Sequence, residues 1–219
     1  MKLKLLLFFV LATAGITARA QQGFPFDNEI RDFKQQDSIS MPAKNGILFI
    51  GSSSIRKWTD LEKRFSGKPI IRRGVGGCTI EQLVNYYTPY IMYPYHPRKI
   101  FVYAGENDIA AGKTGEFTAR EFYKLWAMIR QNLPKAEIYF MAIKPSPSRA
   151  KFFPEVRKAN DLVKDFLKKR KNSYYIDVAS TILDPATHQP DTTLFESDML
   201  HLNSKGYDKW QAALQPFVK

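Results

Sequence analysis

At 219 residues the chain has room for one well-filled α/β domain and is short for two. Its net charge of +12, from 33 Lys and Arg against 21 Asp and Glu, suits anionic surfaces, glycans or nucleic acid. The single cysteine, Cys78, excludes an internal disulfide, so stability has to come from the core.

Residues 1–20 read as an export signal. Lys2 and Lys4 lead an apolar core from Leu5 to Val10 that extends to Ala14, and Ala18-Arg19-Ala20 has the small-x-small pattern of a cleavage site. The apolar core is too short to span a bilayer, no second long apolar run follows it, and no cysteine near the cleavage site could carry a lipid. Cleavage leaves residues 21–219 as one domain. The signal holds three of the 33 basic residues and no acidic one, so the mature charge is +9. Export argues against nucleic acid as a partner. Lys164, Lys168, Lys169, Arg170 and Lys171 read as the solvated face and end of a helix.

Residues 24–45 mix Phe24, Phe26, Ile30 and Phe33 with charges, which predicts a short helix packed on the body and carries no recognisable chemistry. From Gly46 to Ile55 an apolar run stops abruptly at a glycine and three serines. Such a run predicts a strand buried on both faces in a parallel sheet. Ile55, Trp58 and Leu61 then follow at helical spacing, so Ser52, Ser53 and Ser54 lie in a tight strand-to-helix turn. A serine there is either a helix cap or a nucleophile. Pro69 to Arg72 predicts the second strand, followed by the glycine-rich turn Gly74 to Cys78. Thr79 and Gln82 form a capping box ahead of a helix with Ile80, Leu83, Val84 and Tyr87 inward, ending near Pro89.

Lys99 to Ala104 is the third predicted strand and runs into Gly105-Glu106-Asn107-Asp108. Thr118 and Glu121 suggest a second capping box, before a helical stripe of Phe122, Leu125, Trp126, Ile129 and Leu133 that stops at Pro134. Glu137 to Ile143 predicts a fourth strand, Pro154 opens a helix, and Tyr174 to Val178 predicts a fifth strand. The long irregular stretch from Ala179 to Asn203 has the character of a functional loop. It delivers Asp198-Met199-Leu200-His201 to a last helix burying Tyr207, Trp210, Leu214 and Phe217. Five strands alternating with helices predict a parallel, doubly wound sheet of flavodoxin-like type, covered on both faces.

In such a sheet the turns after the first three strands emerge at one edge. Serine hydrolysis needs a base, a group that orients the base, and donors for the oxyanion. His201 can be the base, and Asp198, three residues earlier, can reach its imidazole from a turn. An ordinary imidazole is neutral above about pH 6.5, so activity should rise through mildly acidic pH.

These residues, in this order, resemble the SGNH hydrolases, the GDSL-type esterases, over nearly all of the mature chain. Gly51-Ser52-Ser53-Ser54 looks like the nucleophile block and Gly74 to Gly77 like the second block. Gly105 to Asp108 resembles the third, and Asp198 to His201 the Asp-x-x-His block. The resemblance implies Ser53 as nucleophile and an oxyanion hole of the Ser53 and Gly77 N–H groups and the Asn107 side chain. Asp198 and His201 complete the triad, with no cofactor and no metal, in a three-layer α/β/α sandwich. Ser52 stands where the family often has aspartate, and Arg72 where many members have asparagine.

Other residues point less sharply. His96 and His188 lack partners at catalytic spacing, and Pro185 and Pro190 disfavour a helical metal site built on Asp184 and His188. Gly74, Gly76 and Gly77 lack the ending of a dinucleotide loop. Cys78 reads as a small buried residue. Tyr86, Tyr87, Tyr90, Tyr93 and Tyr95 fit either a sugar platform or packing. Three functions are consistent with the chain. The first is an exported serine esterase removing a small acyl group, acetyl above all, from a carbohydrate. The second is a lysophospholipase or thioesterase on the same triad, with Lys144, Arg149 and Lys151 beside Phe152 and Phe153. The third is a glycan-binding module without chemistry.

Overall fold

The computed structural model describes residues 24–219, and the expected export signal lies outside the described residues. A helix, α1 (Asp27–Ile39), precedes a βα series: β1 (Ile47–Gly51), α2 (Ser53–Arg56), α3 (Leu61–Arg64) and β2 (Ile70–Gly74). A composite helical segment follows, built from α4 (Ile80–Gln82), a π-helical turn (Leu83–Tyr87) and α5 (Thr88–Ile91). The series then runs through β3 (Lys99–Tyr103), α6 (Glu106–Ala110), α7 (Gly115–Asn132), β4 (Glu137–Met141), α8 (Phe153–Lys168), β5 (Ser173–Ile176) and α9 (Ser204–Leu214). The five strands form one sheet in the order β2-β1-β3-β4-β5, every pairing parallel. This is the expected doubly wound α/β/α sandwich, and its strand order reverses between β1 and β3.

Alternation along the strands divides the core into two layers. Leu48, Ile50, Ile100, Val102, Ile138 and Phe140 face the side covered by α1, the composite segment, α7 and α8. Ile47, Phe49, Phe101, Tyr103, Tyr139 and Met141 face α2, α3 and α9, meeting Ile55, Trp58, Tyr207 and Trp210. On this second face the parallel register puts Phe49, Phe101, Tyr139 and Tyr174 side by side on neighbouring strands. Their rings stack with centroids 4.6, 4.5 and 4.8 Å apart, a row of aromatic contacts running across four strands.

Two local expectations are corrected by the structure, and a third is refined. The helix expected through Ile55 and Leu61 is broken into α2 and α3, and both halves still bury their apolar side. The helix expected to end near Pro89 does end there, at Ile91, running through the proline rather than stopping before it. The π turn just before Pro89 widens the backbone, so the missing N–H and the ring of proline are accommodated without a break. Thr118 and Glu121 do not cap α7. Thr114 does, its Oγ accepting from the Phe117 N–H at 3.1 Å, while the Glu155 carboxylate accepts from Gly115. That second cap comes from α8 and is invisible to local spacing.

Phe101 occupies the centre of the aromatic row and is fully buried. Phe101→Ala should therefore cost about 3–5 kcal/mol, read as a lower urea midpoint with an unchanged slope.

Candidate active site

The first strand ends where Gly51, with φ of +146°, brings the backbone against β3: a Cβ there would lie 1.9 Å from the Tyr103 carbonyl oxygen. The Ser52 N–H donates to that same carbonyl at 3.0 Å, and α2 starts at Ser53. Ser52 and Ser54 are buried, and Ser53 alone of the three is partly exposed. Capping does not account for the serines, because Ser52 stands at the N-cap and its side chain makes no cap bond.

His201 arrives from the long loop after β5. Its Nε2 lies 2.8 Å from Ser53 Oγ, and its Nδ1 lies 2.6 Å from Asp198 Oδ2. The other carboxylate oxygen of Asp198 accepts from the N–H groups of Leu200 and His201, both at 2.9 Å. Met199, at φ +51°, gives the turn its sharpness. Partial burial works against the Asp198 carboxylate, but the His201 ring and the two N–H groups outweigh it and hold the carboxyl well below its usual range. Asp198 therefore stays ionised through mildly acidic pH. Its tie to Nδ1 leaves Nε2 as the nitrogen turned to serine.

The other two expected residues lie across the switch point. Gly77 has φ of +81° in the turn after β2, and Asn107 sits on α6 after β3. Asn107 Nδ2 donates to the Cys78 carbonyl at 3.0 Å, and the next residue, Asp108, accepts from the Ile80 N–H with both oxygens. The two turns are thereby joined at consecutive residues. Among the described residues, neither the Ser53 nor the Gly77 N–H donates to a protein acceptor, so both remain available to a bound group. Cys78 is fully buried, and burial and the nearby Asp108 push its thiol far up, so it offers no thiolate. His96 and His188 are exposed on the surface. Of the tyrosines, Tyr87 and Tyr95 are core residues, while Tyr86 and Tyr90 stack on Phe24. Arg72 turns from the site to Glu62 and the Arg56 carbonyl.

Several residues at the site escaped sequence reasoning. Glu106 is buried and receives Lys144 Nζ at 2.8 Å, the Tyr103 hydroxyl at 3.0 Å and the Ser146 hydroxyl. Burial opposes the Glu106 charge, yet Lys144 and Ser146 hold its carboxyl below the ordinary value. Burial lowers the Lys144 ammonium. Lys144 is thus a buried ion paired with Glu106, not a charge presented beside Phe152 and Phe153 as the lipid alternative supposed. The segment 24–45, expected to carry no recognisable chemistry, places the Phe26 ring, just ahead of α1, 3.3 Å from where a Gly77 Cβ would stand. Its Glu29 accepts from the Gly76 N–H at 3.0 Å and from Arg56 at 2.9 Å.

A parallel α/β sandwich with serine, histidine and carboxylate in one hydrogen-bonded chain at its switch point has the architecture of an ester-cleaving hydrolase. Residues 43–209 match the GDSL-like Lipase/Acylhydrolase family, and the chain belongs to that family of ester-hydrolysing enzymes. No curated sequence matches the chain. Among solved structures it is similar to a Streptococcus pneumonia protein provisionally named as a platelet activating factor, at 21% identity and TM-score 0.77, covering 88% of this chain and 92% of that one. A GDSL-like lipase from Bacteroides thetaiotaomicron aligns at 17% identity and TM-score 0.71, covering 89% and 98%. A carbohydrate esterase of family 3 from Talaromyces cellulolyticus aligns at 14% and 0.62, covering 78% and 94%. Among the described residues, no helix is long and apolar enough to cross a membrane, and no three or more His, Cys, Asp or Glu side chains cluster so as to hold a metal ion.

Lys144→Met would leave the Glu106 carboxylate buried without its cation. The expected cost is about 3–5 kcal/mol, measured by urea denaturation at neutral pH. A change under about 1 kcal/mol would mean that Glu106 is protonated in place.

Proposed function

We propose that residues 21–219 form an exported serine esterase that removes acetyl groups from a carbohydrate, with Ser53 as nucleophile, His201 as base and Asp198 as the residue orienting it. The observation that carries this reading is the continuous contact from Asp198 through His201 to Ser53 Oγ, at 2.6 and 2.8 Å. His201 Nε2 takes the hydroxyl proton as Ser53 Oγ attacks the ester carbonyl. The ionised Asp198 stabilises the imidazolium that forms. The tetrahedral oxygen is received by the Ser53 and Gly77 N–H groups and by Asn107, donors positioned before the charge develops. Collapse expels the sugar alcohol, which takes the proton from His201. Water then attacks the acyl-enzyme with the same base and releases acetate.

Support for a small acyl group and a polar alcohol comes from the surroundings. Beside Asp198, though not lined by Ser53 or His201 themselves, lies a cleft of about 500 Å³ with Lys57, Asp60, Glu196, Asn203 and Ser204 in its wall, polar groups of the kind that sugar hydroxyls pair with. Likeness to a carbohydrate esterase points the same way. Export is supported by the Lys2 to Ala20 pattern. A second cleft of about 340 Å³ has Ile143, Phe153 and Val156 in its wall, but it also holds Arg157, Asp161 and Asp177 and includes neither Ser53 nor His201, so it lends the lipid reading little support.

Acetyl, butyryl and octanoyl esters of one chromogenic alcohol separate these substrates. Activity of the mature protein should be highest on acetyl and fall with length; a rise toward octanoyl would replace the carbohydrate reading with the lipid one. For the nucleophile, Ser53→Ala should abolish both turnover and labelling by an organophosphonate, whereas Ser52→Ala and Ser54→Ala proteins should still be labelled. Label retained by folded Ser53→Ala protein would remove Ser53 from the role.

A further inference from the structure

Asn107 can serve the oxyanion only if its amide presents nitrogen, not oxygen, to the substrate, and a side-chain amide has no intrinsic preference between the two orientations. Two contacts decide the matter here. Nδ2 donates one of its hydrogens to the Cys78 carbonyl at 3.0 Å, and Oδ1 accepts from Arg149 Nη2 at 3.1 Å. A flipped amide would set its nitrogen against a guanidinium and its oxygen against a carbonyl, two repulsive contacts in place of two bonds. The second Nδ2 hydrogen is thereby left for another acceptor.

Arg149 is itself held in place. Its Nη1 donates to the Glu106 carbonyl at 3.1 Å and lies 3.9 Å from the Glu106 carboxylate, and its side chain is about one-fifth exposed. Its backbone N–H is fixed by the Ser146 carbonyl at 2.8 Å, and the adjacent Ser148 N–H donates to the Met199 carbonyl within the Asp198 to His201 turn at 3.0 Å. Arg149 thus sits in a loop tied to both the third block and the turn that carries the histidine. A cation on the amide oxygen polarises the amide and strengthens its N–H as a donor.

We propose that Arg149 is a positioning residue of the oxyanion hole, orienting and polarising the Asn107 amide so that Nδ2 faces the tetrahedral intermediate. The proposal rests on the oxyanion role of Asn107 and assigns Arg149 no contact with substrate. A donor sharpened in this way acts on charge present in the transition state more than in the ground-state ester, so its loss lowers kcat and leaves KM nearly constant.

The experiment is a double-mutant cycle on acetyl-ester hydrolysis with Arg149→Met, Asn107→Ala and the pair, each variant checked for wild-type secondary structure. Asn107→Ala should lower kcat by about 10²–10³-fold. Arg149→Met should lower it by roughly tenfold, with KM little changed, and should have almost no further effect in the Asn107→Ala background. Equal fold-losses with and without Asn107, or a raised KM at unchanged kcat, would overturn the proposal, the latter making Arg149 a substrate contact. An Asn107→Ala protein with undiminished kcat would instead sink the oxyanion reading on which the proposal stands. Should Arg149→Met fail to fold, Arg149→Lys serves in the same cycle: one ammonium cannot replace the two-armed contact, so a partial kcat loss that vanishes without Asn107 is expected, and full kcat would overturn the proposal.

Discussion

Parallel pairing of β1 with β3 is the constraint on which the site depends. It sets Gly51 level with Tyr103, so the turn carrying Ser53 and the turn carrying Asn107 leave the sheet at the same height on adjacent strands. β2, on the other side of β1, delivers the Gly77 turn to the same edge. The approach at Gly51 is so close that any side chain there would occupy the Tyr103 carbonyl. A glycine at the end of β1 is therefore a condition of the serine's position as well as of the turn. The aromatic row from Phe49 to Tyr174 lies beneath this edge and keeps four strands in register.

Above the sheet, polar contacts take over from packing. The buried Glu106 gathers the Tyr103 and Ser146 hydroxyls and the Lys144 ammonium, so the segment after β4 is fastened to the segment after β3. Ser146 and Ser148 reach the carbonyls of Leu200 and Met199, extending that attachment to the loop bearing Asp198 and His201. Desolvating two charges is costly, and the gain here is one of placement, not of net stability. In the proposed reading of Asn107 as an oxyanion donor, such a donor works only where reorganisation is prevented, and a satisfied network of this kind would prevent it. From the opposite side, α1 adds Glu29 on the Gly76 N–H, and Phe26, the residue just before it, sets its ring over Gly77. Residues 27–39 lie ahead of the segment that matches the family, so this wall of the site is contributed from outside it.

Much of this molecule was legible in the chain alone, for a physical reason. Strands buried on both faces have to be continuous apolar runs, helices between them have to show one apolar stripe, and both patterns are local. Ile47 to Ile50, Ile100 to Tyr103 and the stripe from Phe122 to Ile129 could be read for that reason, as could the polar turns at their ends. The order of those turns, together with Asp198 and His201 three residues apart, was enough to suggest the family and a set of site residues. Tertiary structure alone decided what depended on distant partners. Glu155 caps α7 across α8, and α1 reaches a turn nearly 50 residues away in sequence, at Gly76. Lys144 looks like a loop charge until the fold sets it beside Glu106, and Arg149 gains its bearing on Asn107 only through the same closure. Local periodicity reports which face of an element is buried, but a polar side chain's partner is chosen by the three-dimensional closure of the chain.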